Sequence, residues 1–178
     1  MATSNIERYL ESFGKYIVQQ AKSNLSKSKK NATKALYDSI RFVVKKTNQG
    51  FSVNFYMFDY GSFIDKGVSG NKKIQQYKTW DNRTVESPYK YTNKIPPPSM
   101  LEKWIKTRGI KGRSKKTGRF ISNKSLSYAI AYKIKRDGIK STSFFQRPLM
   151  LGMRKFNKEL LSSVAQDIRN SFTTTTIN

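Results

Sequence analysis

Apolar residues recur at three- and four-residue spacing near the start of the chain. Ile6, Tyr9, Leu10, Phe13, Tyr16, Ile17 and Leu25 share one stripe, which predicts an amphipathic helix over residues 5–25. Asn5 or Ser4 stands where a helix cap belongs. Residues 26–34 are polar and basic and read as a loop. The period then falls to two. Ile40, Phe42 and Val44 alternate with Arg41, Val43 and Lys45, and after a Gln49-Gly50 turn Phe51, Val53, Phe55 and Met57 alternate with Ser52, Asn54 and Tyr56. Two such runs joined by a glycine-bearing turn predict an antiparallel hairpin with one face on a core.

Beyond Asp59 the pattern breaks. Gly61, Gly67 and Gly70 fall within ten residues and bracket a single short turn of helix. Residues 71–98 are polar, aromatic and irregular, and end in Pro96-Pro97-Pro98. Three prolines are stiff and cannot donate to a ladder, so this stretch reads as a long arm or loop with one edge strand near Thr84 to Tyr91. Loops of this length are commonly functional or become ordered on a partner. Helical spacing returns in three segments. The first, Ser99 to Thr107, carries Leu101, Trp104 and Ile105. The second, capped by Asn123 or Ser125 and stopped by Gly138, carries Leu126, Ile130 and Ile134. The third, opened by Pro148, carries Leu149, Met153, Phe156, Leu160, Val164 and Ile168. Thr173 to Asn178 reads as a frayed polar tail.

At 178 residues, and with roughly 100–200 residues per domain as a guide, the expectation is one α+β domain over 1–178. It has an N-terminal amphipathic helix, an antiparallel hairpin or small sheet, an extended aromatic loop (71–98), a flexible basic loop (109–123), and C-terminal helices packed on one sheet face.

Composition narrows the chemistry. The chain has no histidine and no cysteine, which removes His-dependent and thiolate nucleophilic catalysis, disulfides and ordinary zinc sites. Lysine and arginine number 35 against 11 acids, a net charge of +24. Such a surface repels itself and gains from counter-charge: nucleic acid, an anionic membrane, or acidic neighbours in an assembly. No run of 18 apolar residues is present, so no bilayer span is expected. The first residues lack a basic segment followed by an apolar one, so no signal peptide is read and synthesis in the cytoplasm is expected.

Between Lys103 and Lys124 lie nine cations and no acid. Within the glycine-bearing part of this stretch, Lys111, Arg113, Lys115, Lys116 and Arg119 suit phosphate contact. They suit equally a solvated loop that meets acidic patches on protein neighbours. The stretch is not a P-loop, since GxxxxGK[ST] is absent and no strand precedes it. Asp59 and Asp65 are the only acids close enough to suggest a metal, and they lack the third carboxylate that a metal-dependent nuclease requires; Asp65 is expected to cap or pair locally. Tyr77, Trp80, Tyr89 and Tyr91 interleave with lysines as in nucleic-acid surfaces. The same mixture marks protein interfaces, and docking on a neighbour is the expectation for so long a loop. No catalytic residue, metal or cofactor is expected.

The ordered set of segments resembles the tail-completion and neck family of tailed bacteriophages. The residues that carry the resemblance are the N-terminal helix and the hairpin ending in Tyr60-Gly61-Ser62-Phe63-Ile64-Asp65-Lys66-Gly67-Val68-Ser69-Gly70. Then come Tyr89-Lys90-Tyr91-Thr92-Asn93-Lys94 with the triple proline, and Trp104-Ile105-Lys106-Thr107-Arg108-Gly109-Ile110. Last are Tyr128 to Ile134 with Gly138-Ile139, and Phe144-Phe145-Gln146-Arg147-Pro148-Leu149. The resemblance implies a non-catalytic α+β subunit of the virion neck, a ring of six or twelve copies around the DNA channel between the portal or adaptor and the tail.

A ring repeats one heterologous interface, so each subunit must offer two different patches. Candidates are the Tyr60, Gly61, Phe63, Asp65 and Gly67 turn, the aromatic loop with Tyr77, Trp80, Tyr89 and Tyr91, and the Pro96, Pro97, Pro98 arm. For the glycine turn, a corner packed on the subunit's own core is the competing reading. The cationic loop would contact packaged double-stranded DNA by its backbone, or acidic neighbours. The alternative function is a sequence-independent nucleic-acid-binding protein of ribosomal or nucleoid type, against which stand a nearly balanced N-terminal helix and a neutral threonine tail.

Overall fold

The computed structural model describes residues 5–28, 34–47 and 50–175, without the side chains of Lys158 and of residues 169–175. Ser4 as a cap, residues 29–33 of the basic loop, Gln49 of the predicted turn and Thr176 to Asn178 lie outside the described residues. The architecture is α+β, with an N-terminal helix, two small antiparallel sheets and C-terminal helices.

Helix α1 (Asn5–Lys27) buries Phe13, Gly14, Ile17, Ala21 and Leu25, the stripe that its spacing dictates. Its first turn has a cap from far along the chain. The Asp167 carboxylate accepts from the backbone N–H groups of Asn5 (3.1 Å) and Ile6 (3.0 Å) and from the Asn5 side-chain amide (2.7 Å). These are donors that a helix cannot satisfy by itself, and the Ile6 bond above all holds Asp167 below the usual carboxylate range. A short helix α2 (Ala35–Ser39) follows and buries Leu36.

Strands β1 (Arg41–Thr47) and β2 (Gly50–Tyr56) form the expected hairpin in unbroken register, from Arg41 opposite Tyr56 to Thr47 opposite Gly50. One face lies mainly on α1, where Gly14 makes room: a Cβ there would run into the Phe42 ring. This sheet is covered from the N-terminal side rather than by the C-terminal helices as a group. Helix α6 (Gln146–Thr175) packs chiefly along α1, and Gly152 permits the approach, since its Cβ would stand 2.5 Å from Ile17 Cδ1. The residue before α6, Phe145, reaches the hairpin edge-on, 5.3 Å from Phe55. Phe13, Ile17, Leu25, Leu36, Ile40, Phe144, Phe145 and Phe156 belong to one buried cluster. At its margin the Tyr9 hydroxyl donates to the Phe156 carbonyl, and burial, reinforced by the Glu159 charge, pushes the phenol up to about 12.

Three further expectations change. Helix α6 continues through Thr173 to Thr175, so those residues are not a frayed tail. The aromatic loop holds two strands instead of one, β3 (Gln76–Lys78) and β4 (Thr84–Glu86), paired antiparallel with Tyr77 opposite Val85. The third concerns a cap. Helix α5 (Asn123–Asp137) is capped by Ser122, whose hydroxyl accepts from the Ser125 N–H at 3.1 Å, not by Asn123 or Ser125. Helix α4 (Pro98–Arg108) starts on the third proline, where a missing N–H costs nothing. It ends on Gly109 in the left-handed region (φ 62°) and packs against α5.

Candidate functional site

The glycine-bearing segment after the hairpin is an internal junction. Helix α3 (Tyr60–Lys66) leads into it, and four distant segments meet there. Val68 and Ile139 exchange both backbone hydrogen bonds (2.9 and 2.7 Å), and the Ser69 N–H donates to the Tyr89 carbonyl while the Tyr91 N–H donates to that of Ser69. Ser87 Oγ donates to the Gly67 carbonyl at 2.6 Å. Gly67 (φ 76°) and Gly138 (φ 78°) adopt a backbone that side chains avoid. At Gly67 a Cβ would stand 2.7 Å from the Ile139 oxygen; at Gly138 it would meet that of Val68.

Asp65 locks this junction to α6. Only 1% exposed, its Oδ1 accepts from the N–H groups of Phe145 (2.8 Å) and Gln146 (3.4 Å). Its backbone carbonyl accepts from the Ser141 hydroxyl (2.7 Å) and the Ser143 N–H (3.0 Å). Burial raises its pKa, and the bonds from Phe145 and Gln146 oppose the rise. Gly61, Asp65 and Gly67 are therefore taken up by the chain's own packing. The competing reading of this turn, a corner on its own core, is the observed one for these three. Tyr60 and Phe63 remain exposed: Tyr60 stacks on Phe58, and Phe63 meets Tyr89 edge-on at 4.4 Å.

The aromatic loop divides in the same way. Tyr77, Tyr89 and Tyr91 are half-buried, and burial raises the Tyr91 pKa. Trp80 sits in the turn between β3 and β4, 51% exposed, in a turn that Asp81 tightens by accepting from Thr79 and Arg83. Pro96 and Pro98 are half-buried and Pro97 exposed. Between this ribbon and the start of α6 lies a cleft of about 630 Å³. Lys78, Lys140 and Arg147 line it beside Gln75, Thr142 and Ser143, without a carboxylate.

The basic stretch is more ordered than a flexible loop. Arg113 bridges Phe120, the Ser114 N–H donates to the Arg119 carbonyl (2.9 Å), and the Ile121 N–H donates to that of Gly112 (3.0 Å). Gly118 (φ 67°) makes the reversal. Lys111, Arg113, Lys115, Lys116 and Arg119 are all exposed on this small hairpin. The Arg113 guanidinium lies 4.4 Å from the Phe120 ring centre, a geometry worth about 0.5–1 kcal/mol at an exposed site. From Pro98 to Asp137 the chain carries twelve cations and two acids, and both acids pair with cations of the same lobe, Glu102 with Lys106 and Asp137 with Arg136.

Sequence reading missed the exposed rings of this lobe: Trp104, Phe120 (62% exposed), Tyr128 and Tyr132. Tyr128 and Tyr132, four apart and off the Leu126–Ile130–Ile134 stripe, were the available signal. Among the described residues no group of three acids, histidines or cysteines is placed to hold a metal, and no helix is long and apolar enough to cross a membrane. Compared with family models, with curated proteins and with solved structures, the chain matches none.

Proposed function

We propose that this chain is a structural, non-catalytic subunit of the head–tail connector of a tailed bacteriophage. It is assembled in the host cytoplasm and resides in the virion neck, where copies close into a ring around the DNA channel between the portal or adaptor and the tail. One observation carries this reading. The segments on which the family resemblance rests are scattered over some 90 residues of sequence, yet Tyr60–Gly70, Tyr89–Tyr91, Gly138–Ile139 and Phe144–Pro148 meet in one junction tied by backbone hydrogen bonds and Asp65. The acid-poor lobe supplies the means of meeting DNA phosphates or acidic neighbours, and the carboxylate-free cleft supplies a second surface for acidic groups.

Light scattering on the purified protein across a salt titration tests the proposal. Ring-sized particles without nucleic acid are expected. The exposed cations and rings of the α4–α5 lobe favour, as a second reading, a sequence-independent nucleic-acid-binding protein; a monomer that changes size only when DNA is added selects that reading instead.

A further inference from the structure

Helix α5 shapes a groove with the stretch of chain that crosses its last turn. The N–H groups of Asn71 and Lys72 donate to the Lys135 and Arg136 carbonyls, both at 2.9 Å, acceptors that a helix end cannot satisfy by itself. Gly70 permits the crossing, because a Cβ there would stand 2.3 Å from the Arg136 oxygen. Backbone bonds therefore fix both walls of the groove, which has a volume of about 540 Å³. Ala129 and the Tyr132 ring, 61% exposed, line it together with Lys72, Lys133, Lys135 and Arg136. None of the described residues lining it is an acid. Arg136 is held by Asp137 through two bonds of 2.8 Å, and Lys135 Nζ donates to the Asn93 carbonyl at 2.7 Å. Lys72 stands exposed on one wall and Lys133 on the other.

We infer that this groove takes a nucleotide of an unpaired nucleic-acid strand, the base on the Tyr132 ring and the phosphates on Lys72 and Lys133. The inference does not depend on ring closure. Charge complementarity calls for an anion: the α5 wall belongs to the lobe with twelve cations and two acids, both already paired. The ring decides which anion. An acidic peptide would be met by the lysines alone, and protein contact surfaces are depleted of lysine. Here the ring stands among lysines, and Ala129, also exposed, has nothing beyond its Cβ to cover the ring's flank. A base with its phosphates needs an open ring flanked by cations, and stacking makes no demand on the sequence. A duplex hides the faces of its bases, so it would meet the cations and leave Tyr132 unused. Four residues earlier on the same side of α5 stands Tyr128, likewise exposed. That is an advance of about 6 Å along the helix, so a second base has a ring within reach.

Fluorescence anisotropy of the full chain with a short labelled oligothymidylate, beside a duplex of equal length, tests this. Tyr132→Ala is expected to weaken single-strand binding about 5- to 150-fold, the loss of one stacked base, and to leave duplex binding unchanged. Tyr132→Phe keeps the ring and should keep the affinity. Lys72→Ala with Lys133→Ala should flatten the salt dependence by roughly 0.7 in log–log slope for each phosphate no longer neutralised. All three side chains are exposed, so melting should be unchanged. No binding of the single strand, or an affinity that Tyr132→Ala does not alter, would overturn the inference, as would equal losses for strand and duplex. Polyglutamate that competes as well as unlabelled oligothymidylate at equal charge would overturn it in favour of an acidic protein partner. Particle mass is read separately, so failure here leaves the ring reading intact.

Discussion

Around α1, the β1–β2 hairpin and the first half of α6, buried rings and aliphatic chains form one connected cluster that includes Phe13, Ile17, Leu25, Phe144, Phe145 and Phe156. The α4–α5 lobe buries Ile105, Ser127 and Ala131 between its helices and leaves Trp104, Phe120, Tyr128 and Tyr132 in solvent among its cations. Both regions are rich in large side chains, and they use them in opposite ways. In the first, rings remove one another from water and fix the fold. In the second, two small residues on α5 let the helices meet while the rings stay outside. Buried rings are concentrated in the first region, and exposed rings set among cations in the second.

The largest expected effect breaks the first region. Phe156 meets Tyr9, Phe13 and Tyr16 at ring distances of 5.4–5.5 Å, and Phe156→Ala is expected to cost about 3–5 kcal/mol by denaturant unfolding. Phe120→Ala, in the second region, removes only the Arg113 contact and should cost no more than about 1 kcal/mol. Equal losses would erase the contrast between the two regions.

Asp65 comes next. Asp65→Ala leaves the buried N–H groups of Phe145 and Gln146 without their acceptor, a loss of about 1–3 kcal/mol. The two trans-capping carboxylates should also separate by pH. Asp167 is held low by the Ile6 bond foremost, so its contribution is present above the usual carboxylate range and lost as pH falls through its own lower value. Asp65 is held high by burial, so its contribution is fullest below the usual range and declines as pH rises through its own higher value. Protection of the Asn5 and Ile6 amides from exchange, relative to their intrinsic rates, is expected to fall under acid, and Asp167→Asn to reduce that acid response. Unfolding of Asp65→Asn should lack the decline that the parent shows on the alkaline side of the carboxylate range.

Smallest in stability is Lys115→Ala, Lys116→Ala and Arg119→Ala together. Melting should be unchanged, while retention on DNA weakens and its salt dependence flattens by roughly 0.9 in log–log slope for each phosphate no longer neutralised. Unchanged retention would assign the hairpin to acidic protein neighbours.

What the sequence showed and what it hid follow from the range of the interactions. Long periodic runs announced α1, β1, β2, α5 and α6, because burial of one face repeats in the residue order. Gln76 to Lys78 is too short and polar to alternate visibly, so β3 emerged only with its partner β4. The basic hairpin rests on the Arg113–Phe120 bridge and a left-handed Gly118, neither of which leaves a period. Asp65 was legible as a cap, but not as the cap of a helix 80 residues away, and Asp167 closes a gap of 162 residues to Asn5. Contacts of that span belong to the fold and are not written locally.

The proposed mode of action is closure of the chain on copies of itself. Mass photometry of the unmodified protein at near-physiological salt, without nucleic acid, reads this out. Closure gives one dominant species at six or twelve times 20.6 kDa. A single-chain mass that persists across concentration, and in the presence of portal and tail proteins, would contradict it.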